Sequence, residues 1–157
     1  WVSADDESSN ARMLRATLLQ AGEPGAAACF HPVPTVELPS PEASADAFAQ
    51  MIANSCSGEP PIFDMMVLGL GDDGHTASLF PGTEAPEVRD RWTTIGRGKG
   101  LERITLTAPV LSASRTVMFL VSGANKRDAL RRLLDPAEWV GAGQHEQCES
   151  AGEWHDM

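Results

Sequence analysis

The chain has 157 residues, 42% of them hydrophobic, and sets 12 Lys and Arg against 22 Asp and Glu for a formal net charge of −10. A chain of this size buries one core without staples, and no apolar run approaches the ~20 residues of a membrane span. The acidic excess opposes non-specific binding to nucleic acid and anionic lipid, so an anionic ligand has to be met by a local cluster of cations.

Three cysteines, Cys29, Cys56 and Cys148, stand far apart with no CxxC pair. An odd, scattered set fits neither a disulfide framework nor a zinc site, and it points to a reducing, cytoplasmic setting.

In chain order, residues 1–10 are polar, and Ser9 or Asn10 caps a helix carrying Met13, Leu14, Thr17 and Leu18 on one face. That helix is predicted to stop near Gly22. Residues 29–36 read as a short strand, which Pro32 and Pro34 confine to a sheet edge or turn into an extended connector. Ser40-Pro41-Glu42 is a helix start, with a capping serine, proline in the first turn and an acid beside it. Ala45, Phe48, Met51 and Ile52 then share a face, and residues 54–61 form a polar loop.

Residues 63–69 are a short apolar run ending in glycine, the pattern of a strand buried on both faces of a parallel sheet. The spacing predicts a short helical turn over 76–80 and a long loop over 83–100. Strands are predicted over 103–107 and 117–121 with a turn at 109–114 between them, then a helix over 125–134 that turns Ala129, Leu130, Leu133 and Leu134 inward. Alternating helices and buried strands give an α/β class with a mainly parallel open sheet flanked by helices. The domain is expected to run over residues 1–140, followed by an atypical, loosely ordered tail over 141–157.

The chemistry concentrates where the strand at 63–69 ends, the edge at which open α/β sheets place ligands. Gly69-Leu70-Gly71-Asp72-Asp73-Gly74 formally satisfies GxGxxG, but two adjacent aspartates would repel a pyrophosphate. A metal site of Asp72, Asp73 and His75 asks neighbouring residues on one tight turn to converge, which they rarely do. The remaining reading makes His75 a general base at the start of the 76–80 turn. A helix N-terminus would keep its ring neutral, Asp73 would orient it, and bare backbone amides would lie nearby for an oxyanion. Against this stands the plainer reading that His75 caps a turn and the aspartates are solvated.

Residues 71–82, Gly-Asp-Asp-Gly-His-Thr-Ala-Ser-Leu-Phe-Pro-Gly, closely resemble the signature of the 6-phosphogluconolactonase family. Ser9-Asn10, Arg103-Ile104-Thr105-Leu106-Thr107 and Gly123-Ala124-Asn125-Lys126 resemble further family segments in order and spacing, so the likeness runs from Trp1 to about Leu134. The resemblance implies a Rossmann-like fold shared with glucosamine-6-phosphate deaminases. It also implies metal-free, cofactor-free hydrolysis of 6-phospho-D-glucono-1,5-lactone to 6-phospho-D-gluconate in the pentose phosphate pathway. His75 would activate water with Asp73 in support, and Gly71, Gly74, Asn10, Arg103 and Lys126 would contact the phosphorylated sugar. Lys126 at a helix N-terminus agrees, since cations are unfavourable there unless an anion binds, with a solvated surface charge as the plainer alternative and the preferred reading of Arg127.

Family members resemble one another in segments with no counterpart here: an upstream glycine turn with an Asp-Glu-Arg stretch, and a last strand. A partial domain is therefore expected. Gly98-Lys99-Gly100 also departs from the lysine and prolines usual before Arg103. Two alternatives stand beside the lactonase: a deaminase of the same fold, and a catalytically inactive fragment. The deaminases carry a glutamate five residues after the histidine, where this chain has Phe80.

Overall fold

The computed structural model of the chain describes residues 1–135. Helix α1 (Asn10–Thr17) starts as its sequence requires, with the Ser9 hydroxyl accepting from the Arg12 amide at 3.4 Å. It ends short of Gly22, because the Leu18 and Leu19 amides both turn back on the Leu14 carbonyl and Gly25 donates to Leu18. None of its residues is buried. Residues 29–36 form no strand and run as the extended connector that two prolines allow.

Helix α2 (Pro41–Ser55) is capped by Ser40, whose hydroxyl accepts from the Ala43 amide at 3.2 Å. Its buried face is Ser44, Ala45 and Ile52. Ser44 is satisfied despite its burial, donating to the Thr35 carbonyl and accepting from the Trp1 indole at 2.8 Å.

Strand β1 (Met66–Gly69) pairs in parallel with β4 (Val117–Leu120), Leu68 opposite Phe119. One face of this pair meets the core of Leu68, Leu79, Ala85 and Leu111, with Met66, Leu106 and Phe119 packed against it. The expected parallel pairing of the two apolar runs is therefore present, and the α/β class stands. Beside it lies an antiparallel hairpin, β2 (Thr93–Gly98) with β3 (Leu101–Leu106), on which α2 packs. The Thr93 hydroxyl fixes that packing by donating to the Ala45 carbonyl at 2.7 Å.

Three local expectations give way. The 83–100 loop instead contains a 3-10 turn, Ala85–Glu87, and all of β2. Gly96 and Gly98 make the stretch look like a loop, yet they are strand residues at which other groups approach the backbone. A Cβ at Gly96 would lie 2.0 Å from the Ser78 carbonyl oxygen, and one at Gly98 2.5 Å from the Phe80 ring. The expected turn at 109–114 is a short helix, α3 (Ala108–Ala113), which buries Val110 and Leu111 as the chain crosses from β3 to β4. Residues 76–80 are not helical, since the Leu79 amide closes a reverse turn on the Thr76 carbonyl at 2.9 Å.

Helix α4 (Arg127–Leu134) follows a 3-10 turn at Ala124–Lys126, and it buries Ala129. Leu134, expected inward, is exposed at the helix end. The limit at residue 140 and the tail over 141–157 lie outside the described residues. Among the described residues no helix is long and apolar enough to cross a membrane.

Candidate active site

β1 delivers the chain into a closed turn over residues 71–75. The Gly71 amide donates to the His75 carbonyl at 2.7 Å and the Gly74 amide to the Gly71 carbonyl at 3.1 Å. Gly74 takes φ +94, a value open to glycine and costly for most other residues. Gly71 is needed for space, because a Cβ there would lie 2.1 Å from His75 Nδ1 and 2.5 Å from Asp73 Oδ1. Both glycine amides are engaged inside the turn, so what these glycines provide is bare backbone.

The turn brings Asp73 onto His75 twice. Asp73 Oδ1 accepts from the His75 amide at 3.1 Å and lies 2.5 Å from Nδ1 of the ring. With Nδ1–H donating to the carboxylate, Nε2 is left as the acceptor. The sequence-based reason for a neutral ring, a helix N-terminus, disappears with the helix, and the group facing the imidazole is instead a carboxylate. Phe80 packs on the other side, its ring centroid 4.4 Å from that of His75. The Thr76 hydroxyl donates to the Gly69 carbonyl and the Ser78 amide to the Thr105 hydroxyl, tying the loop to β1 and β3.

The hydrogen bond from the His75 amide, then that from its ring, holds Asp73 down at about 2, against an ordinary 3.8. A depressed carboxylate stabilises the fold above its unfolded value and ceases to do so as pH falls through the folded one. The thermal midpoint lost in Asp73→Asn should therefore be constant above pH about 4 and shrink between pH about 4 and 2. Melting curves of both proteins over that range provide the check, and a gap that persists undiminished to pH 2 would remove the Asp73 carboxylate as its source. Solvent reaches the pair, so the gap should be small.

Five of the seven expected site residues fall into two groups. Gly71, His75 and Lys126 line one cleft of about 280 Å³ together with Leu70 and Ala77. Asn10 and Arg103 line a second groove of about 420 Å³ with Ser9, Phe30 and Ser78. Phe80 links the two, since the Arg103 guanidinium carbon sits 5.6 Å from the centroid of the ring that also packs on His75. Gly74 lies on the far side of the turn, toward Arg132. A larger hollow of about 700 Å³, between Gly82, Glu84, Glu87 and Arg97, contains none of these residues.

Sequence reasoning passed over two residues of this neighbourhood. Phe80 was noted only for what it cannot do. Lys99 reaches from the β2–β3 hairpin to Asp72, Nζ to Oδ1 3.2 Å. The Lys99 hydrogen bond, then its charge, holds the Asp72 carboxyl below its usual range, and Lys126 acts in the same direction. Among the described residues, no three His, Cys, Asp or Glu side chains gather as a metal-ligand set.

Comparison with known proteins identifies the family. The family model described as glucosamine-6-phosphate isomerases/6-phosphogluconolactonase matches residues 1–148. A 6-phosphogluconolactonase of Nostoc sp. is 44% identical over 140 residues, covering 87% of this chain and 58% of its own. The human 6-phosphogluconolactonase is 39% identical over 108 residues, covering 65% of this chain and 41% of its own. Among solved structures, a 6-phosphogluconolactonase from Shewanella baltica superposes with a TM-score of 0.74 at 29% identity, covering 92% of this chain and 64% of that one. The chain thus spans a little under three fifths of the length of the Nostoc relative.

Proposed function

Because the chain belongs to the glucosamine-6-phosphate isomerase/6-phosphogluconolactonase family, we propose that its protein hydrolyses 6-phospho-D-glucono-1,5-lactone to 6-phospho-D-gluconate in the pentose phosphate pathway. The observation that carries this reading is the Asp73–His75 pair, closed by a glycine turn at the carboxyl end of a parallel strand. His75 Nε2 takes a proton from water as the oxygen attacks the lactone carbonyl. The resulting imidazolium, steadied by Asp73, returns a proton to the ring oxygen when the C–O bond breaks. Each turnover consumes one water and leaves the histidine as it began.

Lys126 in the His75 cleft and Arg103 with Asn10 in the neighbouring groove supply the polar and cationic contacts for the phosphorylated sugar. No metal or cofactor enters this scheme. Cys29 and Cys56 are free thiols, which supports a reducing compartment such as the cytoplasm.

Phe80 separates this reading from deamination. It occupies the place of the proton-moving glutamate in the deaminases, and a phenyl ring packed on His75 transfers no proton. An active form of the protein should hydrolyse the phosphorylated lactone, keep that activity in a chelator, and release no ammonia from glucosamine 6-phosphate. Ammonia release would overturn the assignment, and loss of activity to the chelator would bring the metal site back.

A further inference from the structure

The sequence contains only two lysines, Lys99 and Lys126. They lie far apart in the chain, yet both stand beside the Gly71–His75 turn. Lys99 reaches it from the hairpin tip at 3.2 Å. Lys126 approaches from the His75 cleft, which Gly71, the neighbour of Asp72, also lines. In a chain of net charge −10, the placement of both lysines beside one turn that carries a candidate base, Lys99 on Asp72 and Lys126 in the His75 cleft, calls for a reason beyond solvation.

Stability does not supply one. Both partners of the Lys99–Asp72 pair are about half exposed, and exposed pairs of this kind add little. The backbone at Lys99 also opposes the residue. Gly98 and Leu101 pair across a two-residue turn in which Lys99 has φ +54 and Gly100 φ +73. Two positive values identify the primed hairpin turn whose first place favours asparagine, aspartate or glycine. A lysine thus stands where local conformational preference is against it. The turn end of the hairpin is meanwhile seated over the site, Gly98 lying against the Phe80 ring that packs on His75.

We propose that Lys99 is a second phosphate-binding cation of this site, held against Asp72 and exchanged from that carboxylate to the phosphate of a phosphorylated sugar acid or lactone, which it then grips together with Lys126. Asp72 is the internal competitor: it holds the Lys99 ammonium beside the cleft and gives it up to a ligand of higher charge. The proposal rests on the lactonase reading for the class of ligand. It adds a contact that neither the apolar pattern nor the signature motif reveals.

Reductive methylation with ¹³C-formaldehyde labels the two lysines and the terminal amine while keeping their charge, so that each lysine gives its own NMR signal. Titration with 6-phosphogluconate, the stable product, should move both lysine signals with one dissociation constant, whereas unphosphorylated gluconate moves neither. Lys99→Asn suits the turn better, so its thermal midpoint should hold or rise while affinity for 6-phosphogluconate falls about tenfold or more. Asp72→Asn removes the competitor and should tighten binding. A purely structural ion pair would show the reverse for Lys99→Asn, a lower midpoint with affinity kept. Movement of the Lys126 signal alone, with affinity intact in Lys99→Asn, overturns the proposal and leaves the lactonase reading standing. If neither signal moves and the sugar acid does not bind, the lactonase reading falls as well.

Discussion

Replacing His75 by alanine in an active form of the protein is expected to lower kcat for lactone hydrolysis by about 10²–10⁴ with little change in KM. General-base assistance acts in the transition state and not on bound substrate, so its removal belongs in kcat. The corresponding barrier, ~2.7–5.5 kcal/mol, exceeds what the packing of this ring can account for. The imidazole is partly exposed, and among the described residues its ring partner is Phe80. Asp73→Asn should fall short of that loss, because the base remains while its orientation and the charge facing the imidazolium are weakened. Steady-state kinetics on the two variants check both statements. A fall confined to KM in His75→Ala would move this residue from chemistry to binding.

The parts of this structure that could be read from the sequence are those encoded by neighbours along the chain. Ser40-Pro41-Glu42 specifies a helix start through one hydroxyl and one ring, and the helix begins there. The apolar runs around Val67 and Phe119 specify strands, and they pair in parallel, although the burial on both faces that their composition suggests is found on one face only. Residues 71–75 encode their own turn, because the aspartate that meets the histidine lies two residues before it.

What was missed depends on groups remote in sequence. Gly96 and Gly98 resemble loop residues until Ser78 and Phe80 are seen pressed against them. The six residues of α3 are too few to show a period, and burial of Val110 and Leu111 stabilises them more than propensity does. Thr76-Ala77-Ser78-Leu79 has helical composition but turns back to place Ser78 on Thr105, with Ala77 at φ +49. That lost helix removes the electrostatic argument first made for His75, and a carboxylate takes its place. The Lys99–Asp72 contact spans 27 residues and has no sequence signature beyond the scarcity of lysine.

The 157-residue chain on its own is expected to self-associate and to melt over a broad range. The β1–β4 pair meets the core on one face, and large apolar side chains of its other face are exposed. In its register Val67 lies opposite Met118 and Gly69 opposite Leu120, and Val67 is 52% exposed, Met118 42% and Leu120 63%. Met65 extends the patch, while Met13 and Leu18 of the first helical segment are exposed as well. Parallel strands are ordinarily covered on both faces, and among the described residues neither strand pairs with another along its outer edge. Full burial of a large apolar side chain contributes about 1.5–3 kcal/mol, so four residues left half covered forgo roughly 3–6 kcal/mol. That is a large share of the ~5–15 kcal/mol by which a domain is usually stable.

The net charge of −10 resists contact between copies, and salt screens that repulsion without weakening apolar contact. Association should therefore increase from low to moderate salt, the opposite of what an interface built on ion pairs would do. Val67→Thr with Leu120→Lys should raise the monomer fraction at any given salt, because both changes fall on the open face and touch no part of the core. Sedimentation velocity across salt concentrations, with thermal unfolding alongside, decides the matter. A monomer at all salts with a sharp cooperative transition would mean that this face needs no cover and that the pair is stable as an open two-stranded sheet.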